Sequence, residues 1–161
     1  MSPMVVDLPD ETATRALAGA MAAIRPRHGV VHLEGDLGAG KTTWVRGFLQ
    51  SAGHDGPVRS PTYTLIEPYA LGDERLFHLD LYRLSDPEEL EFIGLRELLD
   101  DGLLLVEWPD RGQGVLPPPS LQVQLAVVGH GRRARLDARP DEWTGLAAIL
   151  ETLKEKIALS S

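Results

Sequence analysis

The chain has 161 residues, of which 43% are hydrophobic and 25% charged, proportions that suit one ordinary globular domain and exclude a disordered or fibrous chain. Sixteen Lys and Arg against twenty-four Asp and Glu leave a formal charge of −8, which argues against DNA or RNA being gripped by this chain alone, because phosphate neutralisation supplies most of such affinity. The absence of cysteine excludes disulfides, thiolate zinc sites and a cysteine nucleophile; no apolar run nears the roughly 18–20 residues of a membrane span, and Met1–Asp10 lacks the parts of a secretory signal, so a cytoplasmic protein without membrane contact is expected.

In chain order, Asp10 is placed to cap a helix whose stripe is Ala13, Leu17, Ala20, Met21 and Ile24, ending near Pro26. Val30–Glu34 reads as a short strand that runs into a glycine-rich turn. A helix is expected from Lys41 to about Ala52, stopped by Gly53. Thr64–Tyr69 and Arg75–Tyr82 read as strands joined at Gly72-Asp73. Asp86-Pro87-Glu88-Glu89 is a helix start, with the helix running to about Asp100. Leu103–Val106 has the continuous apolar character of a strand buried on both faces. Pro117-Pro118-Pro119 forms an extended connection. Leu121–Val128 and Arg133–Ala138 suggest strands across Gly129-His130-Gly131, and a final helix follows Pro140 with Trp143, Leu146, Ala147, Leu150, Leu153 and Ile157 on one face. Strands interleaved with helices predict an α/β fold, a three-layer sandwich of the P-loop NTPase type around a mixed, mostly parallel sheet, in a single domain covering 1–161.

Gly35-Asp36-Leu37-Gly38-Ala39-Gly40-Lys41-Thr42 satisfies G-x-x-x-x-G-K-[ST] at every fixed position and sits between a strand and a helix, where the motif has its meaning. The glycines let backbone N–H groups point inward at phosphates, and the following helix adds its positive end. Lys41 is expected to neutralise the β/γ oxygens, the Thr42 hydroxyl to ligate Mg²⁺, and Thr43 to reach the α-phosphate. ATP and Mg²⁺ are therefore the expected ligands. No Asn-Lys-x-Asp is present to read guanine, which disfavours GTP.

P-loop enzymes complete the metal site with an acid at the end of a buried strand. Glu107, after Leu103–Val106, and Asp80, after Leu76–Leu79, both fit, one near the metal and the other orienting water. Trp108 either covers the site or packs as a core aromatic. Ser60-Pro61-Thr62-Tyr63-Thr64 is either a loop sensing the γ-phosphate or a hydroxyl-stabilised turn. The five histidines are scattered without i,i+4 pairing, so a transition-metal site is not expected.

Four segments together resemble the bacterial TsaE family: Gly35–Thr43, Ser60–Leu65, His78-Leu79-Asp80-Leu81-Tyr82-Arg83-Leu84 and Val106-Glu107-Trp108-Pro109, with Asp86–Leu90 and Ile93-Gly94-Leu95 between them. The resemblance implies an ATPase required for threonylcarbamoyl-adenosine at position 37 of tRNA, acting with a TsaB–TsaD pair and meeting tRNA only through that complex. It further implies that Leu37, Gly38, Ala39, Gly40, Lys41 and Thr42 wrap the phosphates and that Thr42 and Glu107 ligate Mg²⁺. By the same resemblance Asp80 serves in hydrolysis, Trp108 lies near the nucleotide, and Glu11 and Arg133 contribute nucleotide contacts. The competing readings are a small-molecule P-loop kinase and a nucleotide-gated assembly module with incidental hydrolysis.

Overall fold

Buried apolar strands that alternate with amphipathic helices assemble here into one seven-stranded sheet. The computed structural model describes residues 3–160; Met1, Ser2 and Ser161, at the ends of the expected 1–161 domain, lie outside the described residues. The elements are β1 (Met4–Leu8), α1 (Glu11–Ala23), β2 (Gly29–Glu34), α2 (Lys41–Ser51), β3 (Ile66–Leu71), β4 (Glu74–Asp80), α3 (Glu89–Phe92), α4 (Leu95–Asp101), β5 (Leu103–Glu107), β6 (Leu121–Val128), β7 (Gly131–Ala138) and α5 (Leu146–Ser160). A 3₁₀ turn spans Pro109–Gly112.

The sheet order is β1-β7-β6-β2-β5-β4-β3. β6, β2, β5 and β4 pair in parallel, while β7 and β3 are antiparallel to their neighbours and β1 is antiparallel to β7. Five of the seven strands thus run one way, and the sheet is mixed and mostly parallel, as expected. The shared direction brings the carboxyl ends of β2, β4 and β5 to one edge, where open α/β sheets bind ligands.

One face packs against α1, α2 and α5 through Leu17, Met21, Trp44, Phe48, Leu150 and Leu153, set against Val31, Leu33, Leu105, Val123 and Leu136. The opposite face is covered at β5 and β4, where Phe77, Leu79, Leu104 and Val106 meet Leu90 of α3 and Leu95 of α4. Farther along that face Gln122, Gln124, Arg135 and Asp137 line a polar cavity. Helices cover both faces over one half of the sheet only. Among the described residues no helix is long and apolar enough to cross a membrane.

Most expected elements are present, with five differences. β1 was not expected: it is five residues long, lies between Pro3 and Pro9, and is held by β7 from the other end of the chain. The strand expected at Thr64–Tyr69 begins only at Ile66, because Leu65 takes a left-handed φ of 72° and its N–H reaches the Pro61 carbonyl at 2.8 Å. The strand expected to reach Tyr82 stops at Asp80. The helix expected over Asp86–Asp100 is two short helices that break at Gly94, whose φ of 82° turns the chain out of the helical path. Trp143 precedes α5, although it is buried, its indole N–H donating to Ser120 Oγ at 3.0 Å.

Candidate functional site

The turn between β2 and α2 is the glycine-rich segment. Gly38 and Gly40 have φ values of 82° and 109°, and a Cβ at Gly38 would meet nothing within 4 Å, so that position is glycine for its backbone conformation rather than for lack of space. Gly40 stands immediately before α2 and makes no side-chain cap, so the first N–H groups of the helix face the turn uncapped by a side chain.

Lys41 opens α2 and is 5% exposed. Its ammonium donates to the Gly35 carbonyl and, at 3.3 Å, to that of Asp36, and lies 3.9 Å from the centroid of the Trp108 ring. Burial holds this ammonium below the ordinary lysine range, opposed by the carboxylates of Glu107, Asp80, Asp36 and Asp110. Thr42, one residue on, donates to both oxygens of Glu107 at 3.4 Å. Asp80 and Glu107 are register partners on β4 and β5, so their side chains emerge together from one face of the sheet. One oxygen of Asp80 accepts from the Tyr82 N–H at 3.0 Å and the other from Thr62 at 3.4 Å. Glu107 also accepts from His78 Nε2 at 2.7 Å.

Trp108 takes a left-handed φ of 56°, which turns the chain sharply after β5 into the Pro109–Gly112 turn. Its ring lies against Lys41 and, at 4.9 Å between centroids, against Tyr82, while it also packs on the core beneath. Both readings of this residue describe it. Ser60 and Thr62 bond to one another at 2.7 Å, as in a hydroxyl-stabilised turn, and both line the cavity.

That cavity, of about 380 Å³, is lined by Asp36–Thr43, Ser60, Thr62, Asp80, Tyr82, Arg83, Glu107 and Trp108. A second, of about 450 Å³, adjoins it at Gly38, Gly40 and Thr43 and is lined further by Pro9, Asp10, Glu11, Thr14, His130, Gly131 and Arg132. Glu11 is there at the start of α1, accepting from Thr43 Oγ1 at 3.5 Å. Leu37, 71% exposed, forms the outer lip of the first cavity.

Arg133 is not brought to this site. It faces the other side of the sheet, where Nε pairs with Asp7 at 2.8 Å. Its neighbour Arg132 points toward the glycine turn instead, donating from Nε to the Ala39 carbonyl at 3.1 Å and from Nη2 to that of Gly38 at 3.0 Å. Strand alternation separates the two. Arg132 and His78 are the residues that sequence reasoning passed over. The signal for Arg132 was its spacing with Ala134, Leu136 and Ala138, all buried; for His78 it was its spacing with Asp80.

A family model described as "Threonylcarbamoyl adenosine biosynthesis protein TsaE" matches residues 8–135. The chain belongs to the TsaE family. A TsaE protein of Haemophilus influenzae is 50% identical over 111 residues, 68% of this chain and 70% of the relative. One from Bacillus subtilis is 38% identical over 151 residues, 93% and 89% of the two chains. Both are described as tRNA threonylcarbamoyladenosine biosynthesis proteins. The crystal structure of Bacillus subtilis YdiB is similar with a TM-score of 0.75 at 29% identity, over 96% of each chain. The glycine turn, Asp80 and Glu107 of this TsaE chain all fall inside the stretch that the family model matches.

Proposed function

We propose that the chain is a Mg²⁺-dependent ATPase that supports threonylcarbamoyladenosine formation in tRNA, working with TsaB and TsaD proteins, which hold the tRNA. The observation that carries the reading is the meeting of Lys41, Thr42, Asp80 and Glu107 at one cavity beside a turn of backbone N–H groups, in a chain of the TsaE family. The triphosphate is assigned to the 380 Å³ cavity along Leu37–Thr42 and the nucleoside to the adjoining one, past Thr43 and beside Glu11. Arg132 is assigned to that second cavity in place of Arg133.

The residues fit magnesium. Thr42 and Glu107 offer hard oxygens, and Glu107 is a carboxylate only 3% exposed that, among the described residues, has no Lys or Arg ion pair. Among the described residues no group of three or more His, Cys, Asp or Glu is placed to hold a metal, which accords with an ion that takes its remaining ligands from phosphate and water. When bound, the ion neutralises charge on the phosphate oxygens. A triphosphate also relieves the desolvated Lys41, since its negative charge adds to the carboxylates that favour the ammonium.

Asp80 orients the attacking water and accepts its proton as the oxygen bonds to the γ-phosphorus and ADP departs. Its carboxylate is fixed for this by the Tyr82 N–H and Thr62, so Thr62 links the Ser60–Leu65 turn to the reacting end of the nucleotide. The acidic balance of the chain, −8, accords with the tRNA being held by the partners.

The test is depletion of the protein followed by mass analysis of tRNA nucleosides, with complementation by wild type and by Asp80→Asn. Loss of threonylcarbamoyladenosine, restored by wild type alone, is expected. Unchanged nucleoside levels on depletion refute the tRNA role, and full rescue by a hydrolysis-dead Asp80→Asn protein refutes the need for hydrolysis.

A further inference from the structure

Glu107 is held from behind. Its carboxylate is nearly enclosed, and among the described residues its partner at ordinary hydrogen-bond length is His78 Nε2, at 2.7 Å; the Thr42 hydroxyl stands at 3.4 Å from each oxygen. The β4–β5 register explains the contact. Asp80 lies opposite Glu107, and His78, two residues earlier on β4, shares the face of Asp80 and sits diagonally behind the glutamate.

His78 is fully buried, and its Nδ1 has no hydrogen-bond partner. A buried N–H without an acceptor costs more than a bare ring nitrogen, and a carboxylate can only accept, so the proton belongs on Nε2. Nε2 is therefore the donor in this bond. It engages Oε2, fixes the plane of the carboxylate and, among the described residues, leaves Oε1 with Thr42 as its sole side-chain partner.

We propose that His78 is a positioning residue, which through Nε2 holds the Glu107 carboxylate toward Thr42 and thereby sets how tightly the nucleotide-loaded site takes a divalent cation. The inference rests on the Mg-ATP reading and adds to it a residue that touches neither nucleotide nor metal. Partners behind a ligating oxygen typically alter metal affinity about 10–100-fold.

The test is a Mg²⁺ titration of a non-hydrolysable ATP analogue, followed by Trp fluorescence or calorimetry, with analogue affinity also measured in EDTA. In His78→Leu the Mg²⁺ concentration at half-effect rises about tenfold, while affinity in EDTA stays within about twofold of wild type. His78→Gln, whose amide nitrogen reaches the Nε2 position, keeps most of the Mg²⁺ response, whereas His78→Asn, whose amide reaches only the Nδ1 position, behaves as Leu. This contrast keeps the test decisive should the Leu protein fail to fold. An unchanged Mg²⁺ midpoint in folded His78→Leu, equal losses with and without metal, or Gln and Asn behaving alike would each overturn the proposal. A wild-type protein that binds the analogue with no Mg²⁺ dependence would instead refute the Mg-ATP reading itself, and the role of His78 with it.

Discussion

A trans peptide points its carbonyl and its N–H in opposite directions, so a donor that holds the carbonyl from outside a turn aims the following N–H inward. Arg132 does this to the Ala39 carbonyl, and the N–H so directed is that of Gly40, at the mouth of the glycine turn. Charged hydrogen bonds of this kind contribute about 1.5–3 kcal/mol. Arg132→Gln should therefore weaken ATP binding about tenfold, a shift of about 1.4 kcal/mol, measurable by calorimetry. Arg133→Gln, which breaks only an exposed pair with Asp7, should leave ATP affinity within about twofold. Equal effects would show that the two arginines are not divided between the faces as described. A second residue makes a pH prediction. Burial lowers the pKa of His32 below 6.5, against a smaller opposing pull from Glu34, and its Nε2 has no partner. The unfolded chain thus takes up the proton first, so stability is complete above pH 6.5 and falls as pH drops toward the folded-state value. Denaturant unfolding at pH 7.5 and pH 5 should show a smaller acid loss in His32→Gln than in wild type; equal losses would count against burial lowering the pKa of the half-buried His32.

At the scale of elements, the break between α3 and α4 turns on Gly94. Were residues 86–100 one helix, Gly94→Ala would stabilise it by about 0.8–1 kcal/mol. With φ at 82° and a Cβ placed 3.0 Å from Glu97 Oε2, the same substitution should instead destabilise the protein by about 1–2 kcal/mol, readable as a lower urea midpoint. The sign alone separates the two architectures. This residue also shows where sequence reading stops. Asp86 does bond to the Glu88 N–H at 3.0 Å, yet α3 begins only at Glu89, after a turn at Pro87-Glu88; and a glycine inside an amphipathic stretch looks the same whether it continues a helix or ends one. The Gly35–Thr42 turn was legible because its signal is local: a few glycines between an apolar run and a helical run mark the bend between β2 and α2. The Asp80–Glu107 pairing was half legible, since each acid ends an apolar run but only register sets them side by side. β1 was illegible because nothing in Met4–Leu8 reveals β7, its distant partner. Arg132 and Arg133 share a composition and a neighbourhood in sequence, and only the face each one takes tells them apart.

For the molecule as a whole, the glycine turn with its two cavities is also a structural junction. α1 supplies Glu11, β7 supplies Arg132, β4 and β5 supply the two acids, and α2 carries Lys41 and Thr42, so both sheet wings and the helical layer meet at the two cavities. A ligand that bridges these elements binds the folded chain and not the unfolded one, and stabilises it by mass action. At a hundredfold excess over Kd this amounts to about 2.7 kcal/mol. A protein of this size gains roughly 2–4 °C in Tm per kcal/mol, so saturating Mg-ATP should raise Tm by roughly 5–10 °C. Lys41→Ala should lose nearly all of that rise, because the substitution removes the buried ammonium that lines the first cavity beside the glycine turn. Asp80→Asn should keep it while losing hydrolysis, since Asp80 is assigned to the attacking water rather than to ground-state binding. Thermal melts of the three proteins with and without Mg-ATP therefore separate binding from chemistry in one experiment. A Lys41→Ala protein that is stabilised as much as wild type would mean that ATP is held elsewhere on the molecule. Loss of the rise in Asp80→Asn would move that carboxylate from the hydrolytic step into nucleotide binding.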